Sequence, residues 1–454
     1  MIRKWLPKCC LLLVAVATSL GTAHALDRQP ASAYHARRVA LADKTQGGVA
    51  VLFAATQPLV DFMPYRQDED FYYLTGWNEP GAALLVQAAQ AASGQFPARP
   101  YREVLFLPTR DLRMEKYTGE KMDAATPDVA KKTGVDEVLP MTELPSVLNK
   151  LLGSDYRLRR NLWSQLDLPQ TTALATWTAS TLGMDSPPAF SDVRSLTMGL
   201  RTVKDAGEIE LLRKAADASM KAQLAAMKAI KPGVNERAID GLILYKLLEN
   251  GCERPSYSPI VGSGLYSTVL HYSEDSHDMQ AGDVVVIDAA GEYSMYASDI
   301  TRTMPINGHY TARQKEIYDI VLGAQRAAAQ AFVAGKFLLG DTLHRGPASA
   351  PSLDRVAYDY INTHGKDLHG QPLGQYFLHG LGHSVGIDVH DPMDYTKPLD
   401  KGMVFTIEPG IYIPEEKIGV RIEDVFYVDQ NGKLVDLIAN LPHETKDVEA
   451  AMQR

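Results

Sequence analysis

Short apolar runs separated by polar turns alternate with helix-length stretches through the first half of the chain. Residues 32–46 have helical spacing, and GVAVLFAA at 48–55 follows as a strand. AALLVQ (82–87) and REVLFLP (102–108) repeat the strand pattern across a polar loop ending in QFPARP. Such alternation with short connections predicts an α/β layer structure. Little here has the spacing of a catalytic motif. The aromatic cluster Phe71, Tyr72, Tyr73 and Trp77 reads as core.

Near residue 200 the pattern changes. Asp205 and Glu208 form a capping-box pair ahead of apolar positions 209, 212, 216, 220, 224 and 227, and Pro232-Gly233 stops that helix. A second helix starts after Asn235 and closes at Asn250-Gly251; a third starts with the pair Thr311 and Gln314. Helices then alternate with short β-branched runs, which predicts a separate α+β domain. The boundary is expected at 195–205, giving domains at 26–198 and 199–454.

The second domain half repeats itself. GDVVVIDAAGEY begins at Gly282 and GMVFTIEPGIY at Gly402, so Asp288 and Glu408 occupy matching places 120 residues apart. A turn and a second strand follow each, carrying Asp299 in ASDITRTM and Glu423 in VRIEDVFYV. Two duplicated hairpins would aim four carboxylates at one axis. A carboxylate ending an apolar strand is either solvated at the tip or buried with a partner, because an unpaired buried charge is too costly. Four together repel one another unless positive charge intervenes. Arg302 and Arg421 are near in sequence, but two arginines do not neutralise four acids in bridging geometry, whereas a pair of divalent ions does. An oxygen-rich donor set favours manganese, with zinc, cobalt or iron as alternatives.

One histidine would complete such a set, and HGLGHSVGIDVHDP (379–392) offers three. Gly380, Gly382 and Gly386 argue against a helix there, each costing about 1 kcal/mol relative to alanine. His379 and His383 are therefore not the paired ligands of a zincin helix, whose glutamate is replaced by Gly380.

Composition narrows the partners. The content is ordinary for a soluble globular protein, with 45% hydrophobic and 22% charged residues. The first 25 residues have the layout of a cleaved export signal: Arg3, Lys4 and Lys8, an apolar stretch from Cys9 to about Leu20, and Ala23-His24-Ala25. Cleavage near Ala25 predicts a periplasmic or secreted protein without a stable membrane anchor. It would move the formal charge from −9 to −12 by removing three basic residues, which disfavours nucleic acid as a partner. It would also leave Cys252 as the sole cysteine, excluding an internal disulfide and reading as a small buried residue. GSGLYS (262–267) lacks the lysine of a phosphate-binding loop.

IDAAGEYSMYASDITRT (287–303), HGLGHSVGIDVHD (379–391), TIEPGIY (406–412) and GVRIEDVFYV (419–428) resemble the aminopeptidase P and prolidase family, the pita-bread metallopeptidases. PYRQDEDFYYLTGWNEPGAALLV (64–86) and RDLRMEKYTGEK (110–121) extend the resemblance upstream, more to aminopeptidase P than to prolidases. It implies an α/β N-terminal domain followed by an α+β pita-bread catalytic domain with an internal pseudo-twofold repeat. It also implies two divalent metal ions on Asp288, Asp299, His383, Glu408 and Glu423, with Asp299 and Glu423 bridging. His271, His379 and His390 match the family's substrate-side histidines, Arg421 and Tyr412 match residues that orient Asp288 and the metal pocket, and Glu408 matches the general base. The implied reaction removes the first residue from peptides with proline at position two, often in a homo-oligomer. The alternatives are a dipeptidase confined to Xaa-Pro and a metal-free binding protein or creatinase-like hydrolase on the same fold. Retention of all five ligand positions argues against the metal-free reading.

Overall fold

The computed structural model describes residues 26–57, 64–340 and 351–453; the expected export signal lies outside them. The first domain is a six-stranded mixed sheet in the order β4-β3-β2-β1-β5-β6. Its strands are β1 (Val49–Phe53), β2 (Ala83–Gln87), β3 (Arg102–Leu107), β4 (Glu137–Pro140), β5 (Leu162–Ser164) and β6 (Phe190–Asp192). Every residue of β1 and β2 is buried, because the sheet is covered on both faces. Side chains two apart share a face. Val49, Val51 and Phe53 pack with Leu144, Leu148 and Leu152. Ala50 and Leu52 join the opposite core with Phe71, Tyr72, Tyr73 and Trp77, so the aromatic cluster is core as expected. That second core runs on without a break into the second domain.

The helix Arg194–Arg201 leads into the long helix Ala206–Ala229, whose first turn carries the anticipated reciprocal cap between Asp205 and Glu208. Helices Glu236–Glu249 and Ala312–Ala331 start at the expected Asn235 and Thr311 caps. No described helix is long and apolar enough to cross a membrane.

The duplication is visible in the strands. The first half contains β7 (Arg254–Pro255), β8 (Ile260–Ser263), β9 (Val284–Asp288), β10 (Gly291–Tyr293), β11 (Tyr296–Ala297) and β12 (Thr301–Pro305). The second contains β13 (Val404–Ile407), β14 (Gly410–Ile413), β15 (Ile418–Arg421), β16 (Asp424–Val428) and β17 (Leu434–Asp436). Strand β9 pairs antiparallel with β12, and β13 pairs antiparallel with β16. In each half a short hairpin is inserted in the connection, β10–β11 in the first and β14–β15 in the second. This corrects one expectation: Asp299 and Glu423 lie just before β12 and β16, not on the return strands themselves. An isolated bridge between Thr301 and Glu423 ties the two halves together at that point.

Candidate metal centre

Two buried glutamines, one from each half, hold the acid-bearing turns. Gln223 on the helix Ala206–Ala229 donates through Nε2 to the carbonyls of Ala289 (3.1 Å) and Ile300 (3.1 Å), beside Asp288 and Asp299. Gln325 on the helix Ala312–Ala331 donates to the carbonyl of Ile407 (3.2 Å) and to Asp424 Oδ2 (2.8 Å), beside Glu408 and Glu423. A carboxamide can bridge carbonyls of two strands at once, which fixes their spacing. Neither glutamine has any motif around it, so sequence reading passes over both.

Asp288, Asp299, His383, Glu408 and Glu423 line one cleft of about 580 Å³, together with His271, His379, His390 and Arg421. Tyr412 lies behind the wall, 1% exposed, and acts on the site through its hydroxyl. Asp299, His383 and Glu423 have donor atoms within 4.8 Å of one another. His383 Nε2 stands 3.2 Å from Asp299 Oδ2 and 3.5 Å from Glu408 Oε1. Its Nδ1 contacts the Ser384 carbonyl at 3.1 Å; a proton there leaves Nε2 as the inward-facing donor atom. The Thr406 hydroxyl accepts from the His383 N–H and donates to Glu408 Oε1, joining two candidate ligands.

Arg421 is the one arginine among the described residues that line the cleft. It donates to Asp288 Oδ2 at 2.7 Å, to the Tyr412 hydroxyl at 2.9 Å and to Thr301 Oγ1 at 3.0 Å. Thr301 in turn donates to Glu423 Oε2 at 2.6 Å. Arg302, which the sequence placed nearby, turns away and pairs with Asp424 at 2.8 Å. On β12 Thr301 faces the acids, so the next residue, Arg302, points the other way. Tyr257, unnoticed in the sequence, places its hydroxyl 2.5 Å from both Asp288 Oδ1 and Asp299 Oδ1. It sits in the bend RPSYSP, which has no periodicity to mark a functional side chain.

The histidines differ in placement. His379 Nε2 is 2.8 Å from the Tyr412 hydroxyl, and its Nδ1 contacts the Gly380 carbonyl at 2.8 Å. The His390 ring lies 4.0 Å from that of His383, centroid to centroid. Burial, with the neighbouring His383 cation, holds the His390 imidazole below its ordinary range. His271 is exposed at the cleft wall.

Charge balance tests whether metal ions suit these residues. Burial raises Asp288 above the ordinary carboxylate range despite Arg421, and raises Glu408 to about 7. Glu423 is pushed well above, by burial first and then by repulsion from Asp299, Glu408 and Asp288. Burial disfavours a charged His383, but Asp299 and Glu408 outweigh it and raise the imidazole to about 9. Burial and mutual repulsion thus favour protons on Asp288, Glu408 and Glu423, a load that divalent cations would relieve. Two other acid–histidine groups among the described residues contrast with this. Arg302 fills Asp424–Asp436–His443, and Arg38 fills His35–Glu103–Asp136. Among the described residues no second guanidinium lines the cleft, and its oxygen-rich donors fit divalent ions.

An acid-rich nest with one imidazole, at the floor of an open cleft on this duplicated α+β frame, defines a metal-dependent hydrolase. Residues 210–430 match the model of metallopeptidase family M24, and residues 34–158 match that of the aminopeptidase P N-terminal domain. The chain is 34% identical to the Xaa-Pro aminopeptidase of Escherichia coli, over 92% of this chain and 97% of that protein. It is 38% identical to the Xaa-Pro dipeptidase of Pyrococcus furiosus, over 54% of this chain and 65% of that protein. The structure of proline aminopeptidase P II from Yersinia pestis superposes with a TM-score of 0.79 at 32% identity, covering 93% of this chain and 99% of that one. That of zinc-substituted E. coli aminopeptidase P in complex with product gives 0.79 at 31%, covering 94% and 99%. The chain belongs to the aminopeptidase P family of M24 metallopeptidases.

Proposed function

We propose that the protein is a metal-dependent exopeptidase that removes the N-terminal residue from peptides with proline at position two. The observation that carries this reading is the nest of Asp288, Asp299, His383, Glu408 and Glu423 at the floor of the cleft. Two divalent ions held by these residues would supply Lewis acidity, polarising the scissile carbonyl and acidifying water. Asp288, Asp299, His383, Glu408 and Glu423 would hold these ions, and manganese is the ion the oxygen-rich donor set favours.

The chain's own groups do the rest. Glu408, with a carboxyl raised to about 7, is suited to accept a proton from attacking water and return it to the proline nitrogen as that nitrogen leaves. Proton return matters because the tertiary amide nitrogen of an Xaa-Pro bond carries no hydrogen of its own. His390 and His271 donate to carbonyl oxygens where negative charge develops. Arg421 orients Asp288 directly and, through Tyr412, fixes the ring of His379 against the substrate. Glu408→Ala is expected to abolish turnover with the fold intact; near-normal hydrolysis of a Gly-Pro-Xaa peptide by that variant overturns the assignment.

A dipeptidase is the second reading, favoured by the prolidase similarity of the catalytic half. The aminopeptidase P N-terminal domain favours the first. Comparing cleavage of Xaa-Pro with Xaa-Pro-Xaa-Xaa separates them. We further propose export with cleavage near Ala25 and a homo-oligomeric state; N-terminal sequencing of the native protein and light scattering are the respective checks.

A further inference from the structure

The loop from His383 to Asp391 begins and ends beside site imidazoles and has no regular strand or helix to stiffen it. It is closed by its own backbone, with Asp391 N–H donating to the Ser384 carbonyl at 3.0 Å and Gly386 N–H to the Asp388 carbonyl at 2.9 Å. At its centre is the Asp391 side chain, 2% exposed. Asp391 Oδ1 accepts from the Asp388 N–H at 3.3 Å, so this carboxylate also holds the turn that leads to His390.

A carboxylate this buried persists only with partners. Arg201 Nη2 donates to Asp391 Oδ1 at 2.7 Å and Lys204 Nζ to Oδ2 at 2.9 Å. Lys204 also reaches Ser384 Oγ at 3.4 Å, next to His383. Both cations are buried and come from the segment that joins the two domains. The second guanidinium nitrogen of Arg201 donates to Asp70 Oδ1 at 2.9 Å, on the helix Glu69–Thr75 of the N-terminal domain. Asp70, Arg201, Asp391 and Lys204 thus form a buried chain of alternating charge running from one domain to the loop. Gly386 leaves the room it needs: a Cβ there would stand 2.6 Å from Asp391 Oδ2 and 2.9 Å from Lys204 Cε.

Buried ion pairs add little net stability over well-packed apolar residues, since desolvation offsets attraction, but they do fix geometry. We infer that Asp391 is a positioning residue for His390, and that Arg201 and Asp70 make the placement of this histidine depend on docking of the N-terminal domain. The inference rests on His390 contacting substrate as proposed above.

The test uses the full-length chain in four forms: Asp391→Asn, Asp70→Asn, His390→Ala and the double variant Asp70→Asn/His390→Ala. In metal-free protein, hydrogen–deuterium exchange of peptides covering 383–391 is expected to quicken in both Asp variants, while β1 and β2 keep wild-type protection. In loaded enzyme, kcat is expected to fall at least tenfold in Asp391→Asn and a few-fold in Asp70→Asn. In the His390→Ala background, Asp70→Asn should cause no further loss. Asp70→Asn keeps Asp391 paired with both cations, so it serves if Asp391→Asn fails to fold. Unchanged loop exchange, or an equal loss of kcat from Asp70→Asn with and without His390, overturns the inference. Faster loop exchange beside a fully active His390→Ala supports the clamp and overturns instead the role given to His390.

Discussion

Loading the site with metal should expel protons. A cation requires deprotonated carboxylates and a neutral imidazole nitrogen. In the metal-free protein at pH 7, His383, raised to about 9, holds its proton, while burial and the neighbouring carboxylates push Glu423 upward in the same sense. Glu408, at about 7, is half protonated. His383 and Glu408 alone therefore release about one to two protons at pH 7 when the nest is filled. Protons compete with the ion, so affinity falls as pH falls, and its logarithm should change by roughly one to two per pH unit near neutrality. Each proton in that slope corresponds to about 1.4 kcal/mol per pH unit. Above about pH 9 the His383 contribution disappears and the slope flattens. Calorimetric titration of manganese in buffers of different ionisation enthalpy counts the protons directly. Tight metal uptake with release near zero at pH 7, or an affinity flat between pH 6 and 8, would refute the charge balance described for the cluster.

Tyr257→Phe removes a hydroxyl shared by Asp288 and Asp299; losing one charge-assisted hydrogen bond costs about 1.5–3 kcal/mol, so metal affinity should drop roughly ten- to a hundredfold in a chelator competition, and no change would exclude Tyr257 from the centre. Gly382→Ala places a Cβ 2.2 Å from the Thr406 carbonyl oxygen, against backbone that cannot swing away; it should destabilise by about 1–3 kcal/mol, and an unaltered melting temperature would contradict that close approach.

The parts of this molecule legible in the sequence are those governed by local rules. The caps at Asp205, Asn235 and Thr311 need only hydrogen bonds within one helical turn, and all three form. The apolar runs 49–53 and 83–86 announce a sheet covered on both faces. The duplicated glycine-to-acid spacing pointed to Asp288 and Glu408 because both halves repeat the same strand and turn. The less legible parts depend on chain segments far apart in sequence. Tyr257, Gln223 and Gln325 act through atoms of strands tens of residues away, and no periodicity marks them. Arg302 and Arg421 look equivalent on paper, and only the register of β12 and β15 sends one to Asp424 and the other to Asp288. Asp299 and Glu423 read as strand residues because the inserted hairpins β10–β11 and β14–β15 are too short to show in hydrophobic alternation.

The most direct measurement pairs elemental analysis of the purified native protein with hydrolysis of an Xaa-Pro-Xaa peptide before and after exhaustive chelation. Two divalent ions per chain, activity lost with them and regained on adding manganese, is the predicted result. Undiminished cleavage by protein shown to be free of metal would contradict it.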